Sequence, residues 1–197
     1  MKIIFASNNK NKVEEIQNQL PAHIQIVTLE EIGHLEDSEE NGKTIEENAI
    51  IKADFIANKY KLPCFADDTG LEIEALNGAP GVYSARYAGE EKNADKNMNL
   101  VLKKLQNTSK RKAQFKTVIA LNIKNKQYLF KGIVKGEITY SKTGKNGFGY
   151  DPIFEPEHLG KTFAEISLKE KNKLSHRGRA VTQLITFLNK FELINED

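Results

Sequence analysis

Lys2-Ile3-Ile4-Phe5-Ala6 is an apolar run that breaks at Ser7-Asn8-Asn9, and this stretch decides the fold of the first part of the chain. An unbroken apolar run is typical of a strand that is buried on both faces of a sheet. After the break, Val13, Ile16 and Leu20 recur at the spacing of one helix face. A buried strand followed by an amphipathic helix predicts a parallel-type α/β unit.

The rest of the chain repeats these two patterns. Apolar runs and alternation predict further strands at residues 24–29, 63–66, 71–75, 114–123 and 127–138. Helical spacing and capping residues predict helices at residues 44–60, 93–105 and 175–191. The turn Asn125-Lys126 makes the last two strands an antiparallel hairpin. The sequence therefore predicts one α/β domain over residues 1–197, with a mixed sheet.

Composition limits the classes of partner. With 29 basic and 27 acidic residues the net charge is +2, so no broad nucleic-acid surface is expected. There is no apolar stretch near the roughly 20 residues of a membrane span, and no signal peptide is recognised, so we expect a cytoplasmic protein without a membrane partner. Cys64 lies in an apolar run and is expected to be a buried, inert thiol.

A first candidate for chemistry is Ser7-x-Asn9-x-x-Lys12, between the first strand and its helix. Helix N-termini present free N–H groups and a partial positive charge, which favours phosphate binding. Ser7 and Asn9 add neutral donors, and Lys12 adds a cation. The alternative is that Ser7 and Asn9 are ordinary helix-capping residues.

A second candidate is Asp67-Asp68-Thr69-Gly70, which we expect at the end of the strand that begins at Pro63. Carboxylates at strand ends can hold a hard cation or activate water. Because neighbouring side chains of an extended chain alternate, only one of the two aspartates is expected to work in a given site. The alternative is a turn rich in Asp and Gly.

The acidic segment Glu39-Glu40-Asn41-Gly42 is a third candidate. A carboxylate from this loop could meet Asp68 across Mg²⁺, which proteins usually bind through one or two carboxylates and substrate phosphates. The alternative is a solvated acidic loop. Lys52, on the helix that follows, faces either the same site or solvent, and periodicity does not separate these.

The fourth candidate is Gly147-Phe148-Gly149-Tyr150-Asp151-Pro152. Glycines let backbone approach a ligand, and Phe148 or Tyr150 can stack on a flat ring. Asp151 can accept hydrogen bonds from ring N–H groups. This composition suits a nucleobase.

Downstream, Lys171, His176 and Arg177 add donors that suit ring carbonyls. Cations are disfavoured at a helix N-terminus, where His176 and Arg177 are expected, so something must compensate their charge. A carbonyl-bearing or anionic ligand would do so. A salt bridge to a nearby glutamate, or for Lys171 a solvated charge run, is the alternative.

Four of these segments closely resemble, in order along the chain, the inosine triphosphate pyrophosphatase (XTP/dITP diphosphatase) family: Ser7-x-Asn9-x-x-Lys12, Asp67-Asp68-Thr69-Gly70, Gly147-Phe148-Gly149-Tyr150-Asp151-Pro152 and Ser175-His176-Arg177. The resemblance also includes two segments not yet described, Thr44-x-x-Glu47-Asn48-Ala49-x-x-Lys52-Ala53 and Gly78-Ala79-Pro80-Gly81-Val82-Tyr83-Ser84-Ala85-Arg86-Tyr87. Any one motif is weak, but six in sequence over essentially the whole chain are specific. The resemblance implies a long curved mixed sheet with two lobes that enclose the nucleotide, and a homodimer.

The resemblance also implies an activity and a set of site residues. The activity is Mg²⁺-dependent cleavage of ITP, dITP and XTP between the α- and β-phosphates, which yields the monophosphate and pyrophosphate and clears deaminated purines from the nucleotide pool. Asp68 would be the catalytic residue and, with Glu40, a metal ligand. The phosphate site would comprise Ser7, Asn8, Asn9, Lys10, Asn11 and Lys12, with Lys52 as a further candidate. The base and sugar pocket would comprise Phe148, Gly149, Tyr150, Asp151, Lys171, His176 and Arg177, and Thr69 would also contact substrate.

Two other functions stay open on sequence alone. One is a related pyrophosphatase that acts on modified pyrimidine or methylated nucleotides, against which the Phe148–Asp151 and His176–Arg177 segments argue. The other is a nucleotide-sensing or RNA-binding module without turnover. The low net charge and the Asp68 and Glu40 carboxylates argue against that module.

Overall fold

The computed structural model describes residues 1–34, 36 and 40–194 of the chain. Within them the strands are β1 (Lys2–Phe5), β2 (Gln25–Thr28), β3 (Cys64–Ile73), β4 (Lys112–Ile123), β5 (Lys126–Ile138) and β6 (Phe154–Pro156). The helices are α1 (Lys10–Gln17), α2 (Ile45–Tyr60), α3 (Ala94–Lys104), α4 (Leu168–Leu174) and α5 (His176–Ile194). The described helices include none that is long and apolar enough to cross a membrane.

The strands form a six-stranded sheet in the order β2-β1-β3-β4-β5-β6. β1 runs parallel to both β2 and β3, whereas β5 and β6 are antiparallel. Between β4 and β5, Lys124 and Asn125 have φ angles of 48° and 60°, as in the two-residue turns that join antiparallel strands. The turn thus lies one residue before the predicted Asn125-Lys126. The predicted α/β fold with a mixed sheet is confirmed.

The chain packs as two compact units. Unit 1 comprises Met1–Asp68, Thr117–Gly132 and Arg177–Asp197, and unit 2 comprises Thr69–Lys116 and Ile133–His176. The prediction of one nucleotide pyrophosphatase domain over residues 1–197, and that of a nucleotide cleft between two lobes, stay predictions.

Each unit has its own apolar core. In unit 1, Phe5 of β1 stacks on Phe65 of β3 with ring centroids 4.7 Å apart, and Val181 and Leu184 of α5 are fully buried in the same cluster. In unit 2, Phe115 and Phe154 pack edge to face at 4.7 Å. The apolar faces of α1 and α5 therefore pack in the same cluster as the strand residues of unit 1. Cys64 is also fully buried, and burial raises the pKa of its thiol to about 12, which confirms an inert cysteine.

β3 corrects one prediction. We expected a strand that ends at Asp67 and a new strand from Leu71, but the structure has one continuous strand, Cys64–Ile73. Asp and Gly are uncommon in strands, which is why the tetrapeptide indicated a turn. The strand accommodates the two aspartates because each pairs with a lysine, at 3.0 Å for Asp67 and 3.3 Å for Asp68.

The helix α4 was not predicted, although its start carries a recognisable signal. Ser167 and Glu170 form a capping box, in which each side chain accepts a hydrogen bond from the other residue's backbone N–H. Ser175 ends α4 in an extended conformation, with φ −71° and ψ 160°, and α5 begins at the next residue. The predicted final helix is therefore present, and Ser175 also terminates the helix before it.

Candidate active site

The order of the strands brings two candidate segments together in unit 1. The chain passes from β1 to β2 on one side and then returns to β3 on the other side of β1. In open α/β sheets, ligands bind at the carboxyl ends of the strands where the order reverses in this way. The register pairs Phe5 with Phe65, so Ser7 and Asp67 each lie two residues beyond a matched pair.

The segment after β1 caps α1. The Asn9 side chain accepts hydrogen bonds from the backbone N–H groups of Asn11 and Lys12, at 3.1 and 3.2 Å, and Ser7 Oγ accepts one from the N–H of Asn9 at 3.3 Å. The capping role that the sequence left open for Ser7 and Asn9 is thus present. A phosphate role for this segment stays a prediction.

The same segment borders open space. Ser7, Asn8 and Lys10 line a surface cavity of about 500 Å³, together with residues of α1 and of the end of β2. Lys10 and Asn11 are exposed. These side chains are therefore accessible to a solvent-borne anion.

The Asp67 carboxylate is paired with two cationic side chains. Its Oδ1 accepts from Lys12 Nζ at 3.0 Å and its Oδ2 from Arg177 Nε at 3.2 Å, and Arg177 also donates to Glu15. Burial alone would raise the pKa of Asp67, but Lys12 and Arg177 outweigh it and hold that pKa far below its ordinary value. Burial lowers the pKa of Lys12 even though Asp67 opposes this. Asp67 is therefore the structural member of the aspartate pair, whose charged form is stabilised by two cations.

Asp68 has different surroundings. Lys52 Nζ of α2 donates to Asp68 Oδ1 at 3.3 Å and to Glu40 Oε1 at 2.8 Å. Burial raises the pKa of Asp68, Glu40 and Asp67 raise it further, and Lys52 and Lys12 only partly oppose them. Burial would lower the pKa of Lys52, but Asp68 and Glu40 outweigh it, so Lys52 is a charged ammonium. Lys52 thus faces the site rather than solvent.

The donor set around Lys52 fits a divalent cation. Two carboxylates from separate segments, Glu40 and Asp68, converge on one positive charge, and Asp68 Oδ2 is buried without a hydrogen-bond partner among the described residues. The described part of the chain holds no cluster of three or more His, Cys, Asp or Glu side chains that would form a closed metal cage. Two carboxylates with an unused oxygen suit Mg²⁺ that shares its ligands with phosphates. Glu39, the neighbouring acidic candidate, lies outside the described residues.

In unit 2, Asp151 and Lys171 form a buried pair. Lys171 Nζ donates to Asp151 Oδ2 at 2.5 Å, and the backbone N–H of Phe148 donates to the same oxygen at 2.8 Å. The Lys171 ammonium also lies 4.7 Å from the centroid of the Phe148 ring. A Cβ on Gly147, whose φ is +73°, would overlap the Asp151 carboxylate, so this turn requires glycine. Lys171 is therefore an interior residue of the site candidate and not part of a solvated charge run.

The remaining predicted substrate-binding residues differ in how far their side chains are exposed. Tyr150 is part of the core of unit 2, and its hydroxyl donates to the carbonyl of Ser84 at 2.8 Å. Phe148, Gly149 and Thr69 are partly exposed. The His176 ring is buried and stacks on Phe115 at 4.4 Å. Of the two aromatic rings that we proposed for base stacking, Phe148 is the more accessible.

The contacts of Arg177 differ from those of the other pocket candidates. Its guanidinium is buried and donates to Glu15 and Asp67, all within unit 1. A salt bridge to a glutamate, which the sequence left open, therefore compensates its charge at the start of α5. Its role in the base pocket stays a prediction. Glu15 was missed, because a glutamate in an amphipathic helix gives no local sign that it is buried.

Comparisons with known proteins place this arrangement in a family. The Ham1 family profile matches residues 3–187, and the chain belongs to that family. The chain is 64% identical over 188 residues to the dITP/XTP pyrophosphatase of Flavobacterium johnsoniae. The matched region covers 95% of this chain and 98% of that protein.

Two solved structures agree with the fold. The Ham1 protein of Staphylococcus aureus has a TM-score of 0.88 at 44% identity, over 96% of this chain and 99% of that one. The HAM1 protein of Coxiella burnetii has a TM-score of 0.89 at 43% identity, with the same coverage of both chains. The family and the fold predicted from the motifs are both confirmed.

Proposed function

We propose that this chain hydrolyses the deaminated purine nucleotides ITP, dITP and XTP between the α- and β-phosphates. The products are the nucleoside monophosphate and pyrophosphate. The observation that carries the proposal is the Glu40–Lys52–Asp68 cluster beside the middle of β3, which combines two carboxylates, a charged lysine and one unused carboxylate oxygen. Membership of the Ham1 family and the dITP/XTP pyrophosphatase activity named for its relatives support the substrate class.

Mg²⁺ is the proposed cofactor, held by Glu40 and Asp68. When bound, it would neutralise phosphate charge and act as a Lewis acid on the phosphoryl oxygens. The cations of this chain serve the same need: Lys12 and Lys52 lie close enough to Asp68 to affect its pKa. Phosphoanhydride cleavage depends mainly on such charge neutralisation and on positioning.

Asp68 is the proposed acceptor for the proton of the attacking water. The water oxygen bonds to the α-phosphorus, the bond from that phosphorus to the bridging oxygen breaks, and pyrophosphate departs. A carboxylate with a raised pKa holds a proton better than an ordinary aspartate, which suits general-base chemistry. Asp67 serves poorly, because two cations stabilise its charged form.

Base selectivity is proposed to come from unit 2. Asp151 can accept from the N1–H of a 6-oxopurine, and Lys171 and His176 can donate to ring carbonyls. The 6-amino group of adenine would bring a donor to a donor and leave buried polar groups unpaired, which strongly disfavours ATP. Cytoplasmic location and a homodimer accompany this function as predictions.

The test is pyrophosphate release from ITP, XTP, dITP, GTP and ATP, with and without Mg²⁺. We expect fast Mg²⁺-dependent release from the deaminated purines, and a loss of about 10²- to 10⁴-fold in kcat for Asp68→Asn. The matched control is Asp95→Asn, which removes an exposed carboxylate that pairs with Lys142. Turnover of pyrimidine nucleotides instead would favour the related pyrophosphatase, and nucleotide binding without pyrophosphate release would favour a sensing module.

A further inference from the structure

The segment that follows Glu40 is fixed to the first turn of α2. The backbone N–H of Gly42 donates to Asn48 Oδ1 at 2.8 Å, and the N–H of Lys43 donates to Glu47 Oε2 at 2.6 Å. Thr44 closes the turn, since its side chain caps α2 by accepting from the N–H of Glu47 at 3.1 Å. Two of the three bonds thus run from the loop backbone to helix side chains.

Asn48 and Gly42 fit each other closely. Asn48 is fully buried, so its side chain has a defined place against the loop. A Cβ on Gly42 would lie 2.6 Å from Asn48 Oδ1 and 2.9 Å from the backbone nitrogen of Asn48. The second contact is with backbone, so a rotamer change does not relieve it. Gly42 is not among the residues with positive φ, and its requirement for glycine therefore comes from contact with Asn48.

The position of this contact links it to the carboxylate cluster. Gly42 lies two residues after Glu40, a reach of roughly 7 Å of chain. Asn48 and Lys52 are four residues apart and therefore share one face of α2. Asn48 holds the backbone of the loop, and Lys52 holds the Glu40 carboxylate at 2.8 Å. Asn48 and Lys52 therefore fix the loop backbone and the Glu40 carboxylate from the same face of α2.

We propose that Asn48 and Gly42 are positioning residues that set the place of the Glu40 carboxylate opposite Asp68, and so tune the affinity for the divalent cation. The inference rests on the proposed function insofar as Glu40 and Asp68 hold Mg²⁺. Residues that contact and orient the metal ligands typically matter for metal affinity, and their removal weakens it by about 10- to 100-fold. Asn48 has the same kind of role here, through the loop backbone.

The test compares Asn48→Ala and Gly42→Ala with Thr44→Ala, which removes the helix cap and leaves the Gly42–Asn48 contact in place. Two quantities are measured: Mg²⁺ affinity of the nucleotide-free protein by calorimetry, and the half-saturating Mg²⁺ concentration for pyrophosphate release from ITP. We expect the first two variants to weaken both by about 10-fold or more. Thr44→Ala should lower the melting temperature without that effect, and the KM for ITP at saturating Mg²⁺ should be almost unchanged throughout.

Unchanged Mg²⁺ affinity in both folded variants overturns the inference, as does an equal effect in Thr44→Ala. If Asn48→Ala does not fold, Gly42→Ala tests the contact from the loop side. A failure of the proposed function is a separate result. In that case no nucleotide releases pyrophosphate, yet calorimetry still reports whether the variants weaken Mg²⁺ binding, which supports or overturns the positioning role by itself.

Discussion

Two neighbouring residues of β3, Asp67 and Asp68, have opposite electrostatic surroundings. Both are more than nine-tenths buried, and both lie within reach of Lys12 and Lys52. Yet the pKa of Asp67 is lowered and that of Asp68 is raised. The difference lies in pairing, since Asp67 engages cations with both oxygens and Asp68 engages one cation with one oxygen.

Strand geometry makes this division of roles possible. Successive side chains of an extended strand point to opposite faces of the sheet. Asp67 therefore meets α1 and α5, through Lys12 and Arg177, while Asp68 meets Lys52 of α2. Adjacent positions thus yield one carboxylate for structure and one for chemistry.

The largest expected effect on stability separates the two aspartates. Asp67→Asn leaves Lys12 and Arg177 without their shared countercharge, and breaking such a buried pair costs about 3–5 kcal/mol of unfolding free energy. The pKa of Asp68 is raised because burial disfavours its ionised form. Asp68→Asn removes that buried charge, so the free energy of unfolding should stay the same or increase. Urea denaturation of both variants measures the contrast.

The lowered pKa of Asp67 also determines how its contribution to stability changes with pH. Because the pKa of Asp67 is lowered on folding, its stabilisation is present above the unfolded value of about 3.9 and is lost as the pH falls toward the folded value. The gap between native protein and Asp67→Asn should therefore narrow below about pH 4. Equal unfolding free energies of the two variants at neutral pH would contradict the proposed division of roles.

A change at Lys52 tests the Asp68 side of the comparison. Lys52 lowers the pKa of Asp68 against the effect of burial, so Lys52→Met should raise that pKa further. Activity that needs ionised Asp68 falls as the pH falls through its pKa, so the acid limb of kcat/KM should move to higher pH. The control is Lys59→Met on the same helix, whose ammonium pairs with Glu36 and is 44% exposed. An unmoved acid limb in Lys52→Met would assign that limb to a group other than Asp68.

The sequence predicts the two sides of this comparison unequally. The Asp67-Asp68 pair and Lys52 are recognisable as candidates because their motifs are local: an Asp-Asp-Thr-Gly segment after an apolar run, and a capped helix with a lysine on it. The family resemblance, and not the pattern, singled out Asp68 and assigned Lys52 to the site. The pairing of Asp67 with Arg177 is not recognisable, because the two residues are 110 positions apart and meet only in the folded chain, where Arg177 of α5 also donates to Glu15 of α1. Sequence pattern also predicted the mixed sheet, because apolar runs and hairpin turns are short-range signals.

Local propensity failed where tertiary contacts outweigh it. The Asp-Asp-Thr-Gly segment indicated a turn, whereas lysines at 3.0 and 3.3 Å allow it to continue as strand. For Lys171 the sequence left a solvated charge run open as the alternative to a pocket role, and the side chain is buried against Asp151. In both cases a charge whose partner is distant in sequence decides the structure, and no single-segment pattern records that partner.

The smallest expected effect extends the comparison to unit 2, where Phe148 and Tyr150 differ as the aspartates do. The Tyr150 hydroxyl is satisfied by the Ser84 carbonyl within the core, whereas Phe148 is partly exposed beside Lys171. If Phe148 stacks on the base, Phe148→Leu should raise the KM for ITP by about 2- to 10-fold, the equivalent of roughly 0.5–1.5 kcal/mol. Tyr150→Phe should lower unfolding free energy by about 1 kcal/mol and leave that KM unchanged. The opposite pattern, with KM sensitive to Tyr150 alone, would place the base against the core tyrosine and assign Phe148 to packing over Lys171.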